Sequence, residues 1–207
     1  MKEKIIIGQK ITVIGIVGGY ILWIFFSLIL AVGFYNLVGK YFIGDVNINL
    51  FISIIIFIIS EILVTPLLGM GDYLEFSDTT VNYYRVSGYF QKWHRALMII
   101  FKHQDVYSFK MKTNDIFSLQ LSYVRVYMVY NQVGYQLKMT FLLNDGSIIS
   151  VMPSGIDDME KGKYEQAFKI LENNGTSIVD KYRLRKVLND KNSFYLHIKE
   201  LEERKDD

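Results

Sequence analysis

Few residues in this chain could do chemistry. Cysteine is absent, which excludes disulfides, thiolate metal sites and thiol nucleophiles. The histidines, His94, His103 and His197, are scattered and offer no metal-ligand spacing. The sequence carries no glycine-rich phosphate loop, no nucleophile elbow and no clustered acid pair. It therefore reads as a non-enzyme without cofactor or metal. Two groups of residues stand apart. Glu61 is an acid inside an otherwise apolar run, and Arg85, Lys92, His94, Arg95, Lys102 and His103 are interleaved with Tyr84, Tyr89, Phe90 and Trp93.

The elements that position them come from two compositional regimes. Between Ile11 and Gly71 the only ionisable acids and bases are Lys40, Asp45 and Glu61, whereas from Asp72 onward charge is dense and nearly balanced. A net charge of +2 gives no reason to expect nucleic acid as a partner. The first apolar stretch, about 11–38, is longer than the roughly 20 residues that span a bilayer. It is also too long for a signal peptide and lacks a good cleavage site. The second, about 50–70, is again one bilayer thick. A short connector makes the two an antiparallel hairpin, with the lipid bilayer as the first expected partner.

Within the hairpin, Gly15, Gly19, Ser27 and Ala31 recur at multiples of four residues, with Trp23 between them. Small residues on one stripe let helices approach closely, within the hairpin or against a membrane-protein partner or a second copy. An acid at mid-bilayer should be neutral, paired or facing protein. Glu61 is therefore expected to face protein, with Tyr20, Trp23 and Ser27 as hydrogen-bond partners. A structural role, an ion or proton pathway, and a polar contact to another subunit all remain open.

The second regime alternates like strands. Tyr73–Phe76 and Val81–Val86 are joined by a polar turn, Asp105–Lys112 alternates, and Val124–Tyr130 and Tyr135–Leu143 are β-branched and aromatic. Asn144-Asp145-Gly146 turns the chain into Ser147–Met152. Ala96–Phe101 reads as a buried strand or part of an amphipathic segment. After Pro153 the period becomes helical: Asp157 and Glu160 have capping-box spacing, and Asn173-Asn174-Gly175 ends a helix with glycine at the C′ position. Thr176–Val179 is an apolar link, and 181–189 and 194–205 are further helical segments. Arg85, Lys92, Trp93, Arg95 and Lys102 could rest on an anionic membrane surface, each cation contributing about 1 kcal/mol, or belong to a solvated hairpin.

Six or seven antiparallel strands followed by one helix resembles the pleckstrin-homology-like fold, and the whole layout resembles bacterial membrane proteins that carry such a domain behind a transmembrane hairpin. The resemblance implies an α+β membrane protein: a hairpin over 1–71, a PH-like antiparallel β domain with its closing helix over 72–178, and a helical extension over 179–207. It does not bring inositol-phosphate binding, because the first hairpin turn is Ser77-Asp78-Thr79-Thr80 rather than a basic loop.

The functional expectation is a membrane-anchored binding or regulatory protein, a scaffold or subunit of a bacterial membrane complex. One alternative is self-protection against a membrane-active bacteriocin or toxin, since small two-helix proteins of this type resemble some immunity proteins of Gram-positive bacteria. Another is a transport or channel subunit working through Glu61. The cluster of Lys2, Lys4 and Lys10 against a nearly uncharged connector predicts that both termini are cytoplasmic in the cell membrane. A reporter active only outside the cell, fused after Asp207, should be silent, and activity there would overturn this orientation.

Overall fold

The computed structural model describes residues 4–39, 41, 45–68, 70–127, 132–153, 158–159 and 161–206. In chain order the elements are β1 (Ile5–Gly8), α1 (Val13–Gly33) with a π-helical continuation (Phe34–Gly39), α2 (Val46–Leu68), β2 (Tyr73–Phe76), β3 (Thr80–Tyr84), α3 (Tyr89–Lys102), β4 (Phe109–Lys112), β5 (Ile116–Tyr127), β6 (Val133–Leu143), β7 (Ile148–Val151), α4 (Lys163–Asn173), β8 (Ser177–Val179) and α5 (Lys191–Asp206). They divide into two compact units. A sheet unit comprises Met1–Lys10, Gly71–Arg85 and Tyr107–Asp207, and a helical unit comprises Ile11–Met70 and Val86–Val106.

The sheet unit holds two four-stranded sheets, ordered β1-β2-β3-β4 and β7-β6-β5-β8. Alternation sets their inward faces: Val81 and Tyr83 on β3, and Leu137, Met139 and Phe141 on β6, are all buried. One continuous apolar core joins both sheets to Phe168 and Leu171 of α4 and to Phe194 and Ile198 of α5. Two turns follow their sequence signatures. Gly146 (φ 84°) closes the β6–β7 hairpin, donating to the Leu143 carbonyl at 3.0 Å. Gly175 (φ 86°) ends α4 in a Schellman motif, with Thr176 N–H reaching the Leu171 carbonyl at 3.1 Å and Gly175 N–H the Glu172 carbonyl at 2.9 Å. The Asp157 and Glu160 capping box lies outside the described residues.

The sheet unit departs from the expected layout in three ways. The expected all-antiparallel sheet is mixed, because the apolar link Thr176–Val179 becomes β8, which runs parallel to β5. The β5 strand begins at Ile116, well before the expected Val124, with Leu119 and Leu121 fully buried. The third departure moves the N-terminus. Residues expected to lead into the hairpin form β1, which pairs antiparallel with β2 from Ile5↔Phe76 to Gly8↔Tyr73. Ile5 and Ile7 enter the core. Lys4 Nζ pairs with the buried Glu75 at 2.9 Å, and Gly8 N–H donates to Asp158 at 2.8 Å. Gly8 must be glycine, since its φ is 108° and a Cβ there would stand 2.4 Å from the Asp72 carbonyl oxygen.

At the far end of the unit, a 3₁₀ turn (Leu184–Val187) precedes α5. Arg185 there binds Glu165 and Glu172 of α4, and this pairing holds the Glu165 carboxyl below the usual glutamate range. On α5, Glu202 accepts from Tyr123 at 2.5 Å and pairs with Arg125.

If β1 is a core strand, Ile7→Ala should destabilise the full-length protein by about 2–5 kcal/mol, whereas Ile6→Ala, on the half-buried side, should cost far less. Denaturant unfolding of both variants in detergent checks this, and equal small effects would detach β1 from the core.

Candidate functional site

The helical unit begins with capping. Thr12 Oγ1 accepts from Gly15 N–H at 3.1 Å to start α1. Asp45 accepts from Asn47 and Ile48 N–H at 2.8 and 3.1 Å to start α2, four residues earlier than expected. Both helices are long and apolar enough to cross a membrane, and their outward residues, such as Ile21, Phe25, Phe51, Ile58 and Leu63, are exposed aliphatic and aromatic side chains.

The inward faces are where the polar atoms collect. On α2 the buried residues are Asn49, Ser53 and Glu61, and on α1 they include Ser27 and Ala31. Asn49 Nδ2 donates to the Tyr35 carbonyl at 3.0 Å, and Trp23 Nε1 donates to the Ser60 carbonyl at 3.2 Å. These two bonds fix an antiparallel register. Ser53 and Ser60 turn their hydroxyls onto their own helix, bonding the Asn49 and Phe57 carbonyls at 2.9 Å. Ser27 Oγ is fully buried and has no hydrogen-bond partner among the described residues.

The structure divides the residues of the expected small-residue stripe. Ser27 and Ala31 face α2 and Gly19 is half-buried, but Gly15 is exposed and serves the α1 cap. The reason is geometric. Steps of four residues advance about 40° around a helix of 3.6 residues per turn, so a stripe spaced by four rotates off the contact face within a few turns. The buried residues of α1 are Ile16, Ser27 and Ala31, with Trp23 half-buried between them.

Glu61 is only 9% exposed. The register brings Trp23 to its level, but the indole has a single donor, and that donor is spent on Ser60. Ser27 lies four residues further along α1, about 6 Å away along the axis. Tyr20 is half-buried on α1.

The basic-aromatic segment forms α3, which resolves Gln91–Lys102 as neither a strand nor part of a solvated hairpin. Its expected cations do not act alike. Arg85 follows β3 in the sheet unit, Lys92 and Trp93 are half-buried, and Lys102 is exposed. Arg95 cannot be a surface contact: it is 0% exposed, with Nε and Nη2 donating to the two carboxylate oxygens of Asp105 at 2.6 and 2.7 Å. Asp105 follows the α3 C-terminus, where the chain turns through His103 (φ 54°). A bidentate pair there locks the helix end. Ala96 and Ile99 pack with Ile16 of α1. Tyr89 Oη donates to the Ile62 carbonyl of α2, the very acceptor that Pro66, lacking an N–H, cannot serve. The sequence signal for this was Pro66 inside an apolar helix, which leaves the carbonyl four residues earlier without a partner.

The sheet unit contributes a cleft of about 580 Å³ at the start of β6 and α5, lined by Val133, Tyr135, Met159, Lys191, Phe194 and Tyr195. Its size and mainly apolar lining fit a small ligand or a short peptide. Among the described residues no cluster of three histidines or acids is placed to hold a metal ion. No protein-family model, curated protein or solved structure matches the chain.

Glu61 separates structural from transport roles. Glu61→Gln keeps a donor and an acceptor and should be tolerated, while Glu61→Leu should change stability by about 1 kcal/mol or less if the residue only bonds within the hairpin. A proton or ion pathway would lose function in both variants while each stays folded. Stability and cellular phenotype measured side by side decide between them.

Proposed function

We propose that this chain is a membrane-anchored, non-enzymatic binding or regulatory protein, a scaffold or subunit of a bacterial membrane complex. The observation that carries the reading is the pairing of β1 with β2, reinforced by Gln9 N–H donating to the Asp72 carbonyl at 3.0 Å. The sheet unit is thereby assembled from both flanks of the apolar hairpin. The same pairing supports placing both flanks on one side of the membrane, which the lysines before α1 assign to the cytoplasm. The pleckstrin-homology-like resemblance is kept as part of this proposal: two sheets over one core with helices at the C-terminal end support it, with β1 and β8 as departures from the expected strand set. The cleft beside Tyr195 is a place for the sheet unit to hold a partner segment.

The test is quantitative co-purification of the full-length chain from native membranes, alongside Tyr195→Ala in the cleft. The reading expects a reproducible, stoichiometric membrane-protein partner whose recovery falls several-fold in the variant. Recovery of the chain alone, with wild type and variant indistinguishable, would overturn it.

A further inference from the structure

We propose that α3 is a third lipid-contacting element, an interfacial helix that lays Phe90, Leu97 and Phe101 into the bilayer beside the hairpin. This rests on the membrane reading of α1 and α2.

The orientation of α3 is fixed at three points within the helical unit. Tyr89 is bonded to the Ile62 carbonyl at one end, Ala96 and Ile99 pack on Ile16, and Arg95 is locked to Asp105 at the other end. These contacts take up one side of the helix. The opposite side carries Phe90, Leu97 and Phe101, which fall within about 40° of one another on a 3.6-residue helix and are 82%, 45% and 76% exposed. A helix at a water-facing surface turns its apolar stripe inward and its charges outward. Here Arg95 is buried together with Ala96 and Ile99, and Phe90, Leu97 and Phe101 are left outside as an apolar patch that calls for an apolar medium, protein or lipid.

Two observations identify that medium as lipid. The two hairpin helices that α3 packs on are themselves exposed and apolar near those contacts, at Val17, Ile62 and Leu63. The segment from Val86 to Gln104 contains no acid, while Lys92, His94, Lys102 and His103 lie along it. Lys92 falls on the buried side with Ala96 and Ile99, but Lys102 is exposed next to Phe101, and a cation bordering an apolar helical face complements anionic headgroups.

The chain lacks cysteine, so single-cysteine spin labels can be placed without removing native thiols. Phe90→Cys, Leu97→Cys and Phe101→Cys, with Ile21→Cys and Ile58→Cys on the hairpin and Lys110→Cys on β4, are labelled in the full-length protein. Each is reconstituted in vesicles of mixed phosphatidylcholine and phosphatidylglycerol. Collision with oxygen, which concentrates in lipid, is compared with collision with a water-soluble nickel chelate. The expected oxygen-to-nickel ratio at all three α3 positions is several-fold above that at Lys110→Cys and close to the hairpin values. If the α3 labels match Lys110→Cys while Ile21→Cys and Ile58→Cys read as lipid, the inference fails and the membrane reading stands. Hairpin labels that also read as water would overturn both. Exclusion of both probes from the α3 labels would mean that protein covers this face, and would overturn the inference alone.

Discussion

Because Ile5–Gly8 pairs with Tyr73–Phe76, everything between them must leave and rejoin the sheet unit at neighbouring strand ends. That single pairing limits what the intervening chain can be. Two antiparallel helices satisfy it, since they return the chain to the level from which it departed. The entropic cost of closing a long loop rises only slowly with its length, and a hairpin that is already ordered reduces the conformational freedom to be lost. The contacts at the closure are correspondingly specific. Ile7 fills the core, Lys4 meets the buried Glu75, and Gly8 takes a backbone conformation that brings it against Asp72.

A second constraint shapes the helical unit. Any polar atom within two helices of almost unbroken aliphatic and aromatic sequence must find a partner locally. Trp23 covers the Ser60 carbonyl, Asn49 covers the Tyr35 carbonyl, and the serines of α2 bond their own helix. Pro66 leaves the Ile62 carbonyl without its helical donor, and Tyr89 answers it from α3. The kinship between this bond and the buried Arg95–Asp105 pair is that each secures one end of α3, so the orientation of its exposed face follows from interactions on its hidden one.

Legibility from sequence followed the strength of local signals. The apolar runs, the Asn144-Asp145-Gly146 turn and the Asn173-Asn174-Gly175 stop could be read because one residue type at one position decides the conformation. The β1 strand was hidden because Ile5-Ile6-Ile7 abuts the first apolar run and has no period of its own. The β8 strand was hidden because three residues carry too little pattern, and only pairing with β5 makes them a strand. The burial of Arg95 was hidden for a different reason: its partner Asp105 lies ten residues away, beyond the helix end, and a run of cations reads as a surface until that partner is seen. For the site, the burial of Glu61, Ser27 and Ala31 was legible from residue type. The cap role of Gly15 and the engagement of Trp23 with Ser60 were not, because the first depends on where Thr12 starts the helix and the second on the register between two helices.

That register matters for how two such helices find each other. In hydrocarbon there is no hydrophobic drive to join two apolar helices, and association depends on close packing and interhelical hydrogen bonds. The hairpin supplies both in one line: Ser27 and Ala31 keep the α1 contact face small, and the Tyr35–Asn49 and Trp23–Ser60 bonds bracket it from either end. In water the same seam would add little, because solvent would compete for each carbonyl. Asn49, Ser53, Ser27 and the Trp23–Ser60 bond lie on the inward faces while Ile21, Phe25, Phe51, Ile58 and Leu63 are exposed, a division that would suit an apolar solvent better than water.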